Sequence, residues 1–212
     1  AEEMPNLQKV LDYFGLTIEK GLVMEGDSSM YYQQPAYLLP DVAYDMLTKG
    51  ISGEKYIFMP YAQGIRSEEK EDVTLTPLLT SSEASYSKLN MNQAQNYEKE
   101  DGDAEGPFDV GIHAEKKLEE GTAGLTLFTS ENLFTDNANS MVADANLTLF
   151  TNTVASMSDS KESVSVPVKS YEASMITIND GTAFTLGALF MLLLPLGLLI
   201  AGILVWMERR KR

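Results

Sequence analysis

Apolar residues recur at helical spacing at the start of the chain. Leu7, Val10, Leu11 and Phe14 mark one face, Pro5 and Asn6 suit a helix start, and Gly15 ends the pattern. Residues 16–25 (LTIEKGLVME) then predict a strand interrupted by Lys20-Gly21. Two short apolar runs bounded by turn residues, 56–61 (YIFMPY) and 73–80 (VTLTPLLT), predict interior strands. Residues 106–114 (GPFDVGIHA) and 124–129 (GLTLFT) predict two more, and 133–157 has the length and composition for one or two helices. Residues 164–168 and 174–178 read as strand-like connectors, while 67–72 and 90–105 are polar, charge-rich loops. Strand and helix patterns in alternation predict an α/β sheet with helical cover over residues 1–160, followed by a connector over 161–182.

The pattern changes at the C-terminus. Residues 183–207 (AFTLGALFMLLLPLGLLIAGILVWM) carry no charge. At about 1.5 Å per residue they make roughly 37 Å of helix, enough to cross a hydrocarbon core of about 30 Å with tilt. A buried core helix seldom lacks a polar face for so long. Glu208, Arg209, Arg210, Lys211 and Arg212 follow, whereas the stretch before the span holds only Lys161 and Lys169. The positive-inside rule therefore predicts a cytoplasmic C-terminus, an outer domain, and an interfacial anchor at Trp206 and the basic tail.

Charge sharpens this picture. The tail holds four of the 16 basic and one of the 31 acidic residues, which leaves 12 basic and 30 acidic residues in 1–182, a formal charge of −18. Such a domain repels nucleic acid and anionic headgroups, so nucleic-acid binding is excluded. With no Cys and a single histidine, His113, thiol nucleophiles, disulfide frameworks and His-rich metal sites are excluded too. An outward domain needs an export signal, and the opening AEEMPN has neither a basic nor an apolar region of the required kind. The expectation is a cleaved signal or a chain that is the C-terminal piece of a longer protein.

The segments PNLQKVLDYFGLTIEKGLVMEGD, YIFMPYAQGI, TLTPLLTSSEASYSK and EKEDGDAEGPFDVGIHAEKK, with KSYEASMITI before the span, occur in this order. The chain thereby resembles the GldG-like, gliding-motility-associated auxiliary components of uncharacterised ABC transport systems. It departs from the family at Ser130-Glu131-Asn132, where a Gly/Ser/Asp-rich turn is usual, and ANLTLFTNTVASM lacks the common Asn-Trp ending. The resemblance implies a Rossmann-like domain, lacking its first strands here, anchored in a bacterial cytoplasmic membrane beside an ABC permease and ATPase. It implies no reaction and no cofactor.

The residues agree: no Gly-x-Ser-x-Gly, His-Glu-x-x-His or phosphate-binding Gly-x-x-x-x-Gly-Lys-Ser/Thr is present. Ser81, Ser82, Ser130, Glu131 and Asn132 follow predicted strands, where α/β folds place ligand groups, and form a candidate polar groove. A serine nucleophile there would have only His113 as base. Asp101, Asp103 and Glu105 imitate the first half of a calcium loop, but its twelfth position is Ile112 instead of Glu, and a solvated acidic loop is the plainer reading. Asn146-Leu-Thr148 fits a glycosylation sequon, incidental in a bacterial family. The expected function is a non-enzymatic auxiliary subunit; the alternatives are an extracytoplasmic ligand-binding sensor or receptor and a degenerate amidotransferase-like hydrolase.

Overall fold

The computed structural model describes residues 4–51, 53, 55–90, 97–157, 187 and 189–211. The chain divides into two units, Ala1–Val166 and Pro167–Arg212. The connectors expected at 164–168 and 174–178, the span's first residues 183–186, and Arg212 lie outside the described residues.

The first unit begins with α1 (Pro5–Tyr13), started by proline in its first turn. It stops at Gly15, whose φ of +72° lies in the left-handed region and whose added Cβ would stand 2.6 Å from the Glu68 carbonyl. Among the described residues, eleven strands then follow without an intervening helix: β1 (Leu16–Ile18), β2 (Leu22–Met24), β3 (Tyr37–Leu38), β4 (Asp41–Val42), β5 (Met59–Pro60), β6 (Ile65–Ser67), β7 (Val73–Thr80), β8 (Tyr86–Lys88), β9 (Ala104–Glu105), β10 (Asp109–Lys117) and β11 (Thr122–Phe128). Two helices come last, α2 (Asp136–Met141) and α3 (Ala145–Ser156).

The main sheet has the order β1-β6-β10-β7-β4, with β11 also paired to β10; β2-β8-β9 and β3-β5 form smaller sheets. Every pairing among the described residues is antiparallel. This corrects the Rossmann-like expectation. A parallel pair needs a crossover, usually helical, and among the described residues the helices of this unit sit at the two ends of the strand series and not between strands. β10 and β11 instead join through a tight turn closed by Leu118 N–H to the Gly121 carbonyl at 3.1 Å. The coarser expectation stands: a mixed α/β unit and one apolar C-terminal helix.

Two cores flank the main sheet. Leu11 and Phe14 of α1 pack with Leu16, Ile65, Ile112 and Ala114. The larger core joins Leu38, Ile57, Met59, Leu79 and Val110 to Leu133 and Leu149 from the C-terminal helical region. Val110 and Ile112 are two apart on one strand yet serve different cores. The register shift at Gly111 permits this, because an irregularity breaks the two-residue alternation. Gly111 also admits Phe128 and Leu79, which would lie within 3.0 Å of a Cβ there.

In the second unit, α4 (Leu189–Arg210) is 22 residues long and apolar enough to cross a membrane. Its first turn, Leu189–Leu193, is wound as π-helix. Phe190, Leu198, Ile203 and Trp206 are exposed on it, as lipid-facing residues would be. The Arg210 guanidinium lies 5.3 Å from the Trp206 ring centre, with Arg209 in the same last turn and Lys211 N–H bonded to the Glu208 carbonyl.

Candidate functional site

The loop after β7 ties three serines into the fold. Ser81 Oγ accepts the Phe108 N–H at 2.9 Å and lies 2.8 Å from Ser85 Oγ, whose proton goes to the Ser82 carbonyl at 2.7 Å. Ser82 donates both its N–H (3.0 Å) and its hydroxyl to Glu25, which also accepts the Asp27 N–H at 2.9 Å. Glu25 is only 2% exposed, so it anchors this loop against β2 and is not free to act on a ligand. Glu25 was not legible as a partner in sequence, because 57 residues separate it from Ser82.

Ser130 is not brought to Ser81 and Ser82. Its hydroxyl donates to the Pro60 carbonyl and accepts the Asn132 N–H at 3.3 Å, while Glu131 is exposed. His113 sits on β10 with Nδ1 2.8 Å from Thr126 Oγ1 and Nε2 3.7 Å from Glu115, bonded to none of these serines.

The acidic loop separates its three carboxylates. Asp101 is exposed, and Glu105 pairs with Lys99. Asp103 is buried and accepts the N–H groups of Leu89 and Glu100, both at 2.9 Å, with the Lys88 ammonium 4.0 Å away. Burial pushes its carboxyl up, but the two N–H donors and Lys88 outweigh burial and hold it below the ordinary carboxylate value. Lys88 thus faces the carboxylate of Asp103, while Glu105 is taken up by a different lysine.

Two grooves open on the first unit. The larger, about 730 Å³, is lined by charged and polar groups including Asp41, Lys55, Ser82 and Glu83, with Tyr56 at its side. The second, about 410 Å³, is lined by Tyr32, Tyr37 and Tyr61 together with Asn132, Thr135 and Asn137 from the chain leading into and beginning α2. Its rings pack edge to face: Tyr37 with Tyr61 at 5.4 Å and 81°, and Tyr37 with the buried Phe58 at 5.5 Å and 79°. The Tyr61 hydroxyl beside it, followed by burial, holds the Tyr37 phenol above its ordinary value and therefore neutral. Of the groove residues expected from sequence, Ser81 and Ser82 line the larger groove and Asn132 the smaller. The tyrosines were missed; the signal available was the density of Tyr and Gln in YYQQPAY, residues 31–37.

No family model matches the chain, and no curated protein matches it. Among solved structures it is similar to the mmIFT52 N-terminal domain, at 12% identity and a TM-score of 0.48. That likeness covers 75% of this chain and 60% of the neighbour's length, and it bears on neither activity nor partners.

Proposed function

We propose that the chain is a membrane-anchored, non-enzymatic auxiliary subunit of a bacterial ABC transport system of the gliding-motility-associated kind. In this reading α4 spans the cytoplasmic membrane, the basic tail is cytoplasmic, and the first unit lies outside, in contact with partner subunits of the permease–ATPase assembly. One observation carries the partner contact. Helix α3 contains no ionisable residue and exposes Leu147, Phe150 and Val154, next to exposed Phe134 and Met141, on a strongly acidic unit. A neutral apolar patch of this kind suits a protein interface. The involvement of Ser81, Ser82 and Ser130 in the fold supports the non-enzymatic part.

The test is copurification of the tagged full-length protein from native membranes in mild detergent. A multi-span permease and an ATPase should accompany it and should be lost with Phe150→Glu, a substitution at an exposed position. Purification without either subunit would overturn the reading. A second reading, an extracytoplasmic ligand-binding receptor, is favoured by the two grooves and predicts a ligand without a permease.

A further inference from the structure

The smaller groove differs from its surroundings in a way that neither its packing nor the partner contact of α3 explains. None of its lining residues is a carboxylate, a lysine, an arginine or a histidine, although residues 1–182 carry a formal charge of −18. An anionic ligand would find no cation there, and a metal ion no carboxylate. Aromatic rings form one wall. The side-chain amides of Asn132 and Asn137, which also line the groove, make no hydrogen bond among the described residues. Each amide offers a donor and an acceptor side by side. The volume lies within the range of about 300–1,000 Å³ usual for small-ligand sites.

The backbone here is also held in an uncommon state. Gln33 and Tyr61 both line the groove, and both are non-glycine residues with positive φ, 61° and 57°. Tyr61 is fixed there by its N–H to the Ala36 carbonyl at 2.9 Å and by its hydroxyl to Tyr37 at 3.4 Å. Left-handed backbone costs a bulky residue energy, and such strain gathers at ligand clamps.

From this chemistry we infer that the groove between Tyr61 and Asn132 binds a neutral cyclic saccharide. The apolar C–H face of a pyranose ring lies against the tyrosines, and adjacent ring hydroxyls pair with the donor and acceptor of each carboxamide. This does not rest on the transporter reading, since the groove would bind sugar whether or not a permease is present.

The full-length chain in phospholipid nanodiscs, free of glycoside detergents, is titrated with glucose, galactose, mannose, N-acetylglucosamine and maltose and followed by saturation-transfer NMR. At least one should bind with a dissociation constant below about 10 mM. Tyr61→Asn removes the ring but keeps a residue that tolerates left-handed backbone. It and Asn132→Ala should each weaken binding about tenfold or more, whereas Tyr56→Ala in the larger groove should not. Thermal unfolding checks each variant; if Tyr61→Asn is unfolded, Asn132→Ala and the exposed Asn137→Ala carry the test. The inference is overturned if none of the five sugars binds, or if binding survives the folded groove variants. It is equally overturned if tetramethylammonium binds there more tightly than any sugar, which would make the rings a cation cage. None of these results touches copurification with a permease.

Discussion

Asn146 shows how a residue's chemistry can be plain in sequence and its role hidden. In the chain it opens Asn-Leu-Thr, a pattern that suggests a surface acceptor; in the fold it is fully buried. Its amide nitrogen donates to the carbonyls of Phe58 (2.8 Å) and Leu133 (2.7 Å), and its oxygen accepts the Phe58 N–H at 3.2 Å. Those bonds join α3 to the segment entering β5 across 88 residues of sequence. Asn146→Ala should therefore lower stability by about 2–4 kcal/mol, because it leaves buried backbone groups unpaired and opens a small void. Urea unfolding of the purified protein measures it, and a loss under about 0.5 kcal/mol would show that the three bonds contribute little. The serines followed the same course. Their place after strands was readable, but the partners that engage them, Glu25, Phe108 and Pro60, are distant in sequence.

At the level of elements, strong periodicity located α1, β7, β10, β11 and the α2–α3 region, each long enough to show an apolar repeat. The two- and three-residue strands β3, β4, β6, β8 and β9 were not legible, since so few positions cannot display alternation and form only where a neighbour offers pairing. Strand β8 illustrates what then holds them. Lys88, 1% exposed, donates to the Glu98 carbonyl at 2.6 Å and pairs with Glu100 at 3.2 Å, with Asp103 beyond. This clamps the acidic loop onto the β2-β8-β9 sheet. Lys88→Met should cost about 3 kcal/mol by leaving Asp103 buried without its cation, and adding Asp103→Asn should recover part of that loss. The pH dependence has a defined sign. Asp103 is held below its unfolded value, so its contribution is full above the unfolded value of about 4 and is lost as pH falls through the folded one. Hydrogen exchange at the Leu89 and Glu100 amides should accordingly lose protection in acid, in excess of the amides of β8 itself. Protection that stays equal as pH is lowered from 6 until the protein unfolds, after correction for intrinsic rates, would remove Asp103 from the clamp.

For the whole molecule, the class of fold was readable and the sheet was not. Apolar runs in 56–61 and 73–80 look like strands buried on both faces, as in parallel sheets. In the structure, burial comes instead from placing one core on each side of an antiparallel sheet, a long-range arrangement that local pattern does not encode. The C-terminal helix was legible because membrane solubility needs only length and apolarity, both local properties. Its orientation in the proposed function rests on charge. Arg209 and Arg210 end α4 and Lys211 follows it in sequence with Arg212, whereas the unit before it is strongly acidic. These 212 residues contain no cysteine, so a single one introduced among them is the only thiol they carry. In intact cells, a membrane-impermeant maleimide should label Ser67→Cys, at an exposed position at the end of β6, and should label Lys211→Cys only after permeabilisation. Labelling in the reverse order would place the acidic unit in the cytoplasm and would remove the basis for an extracytoplasmic partner.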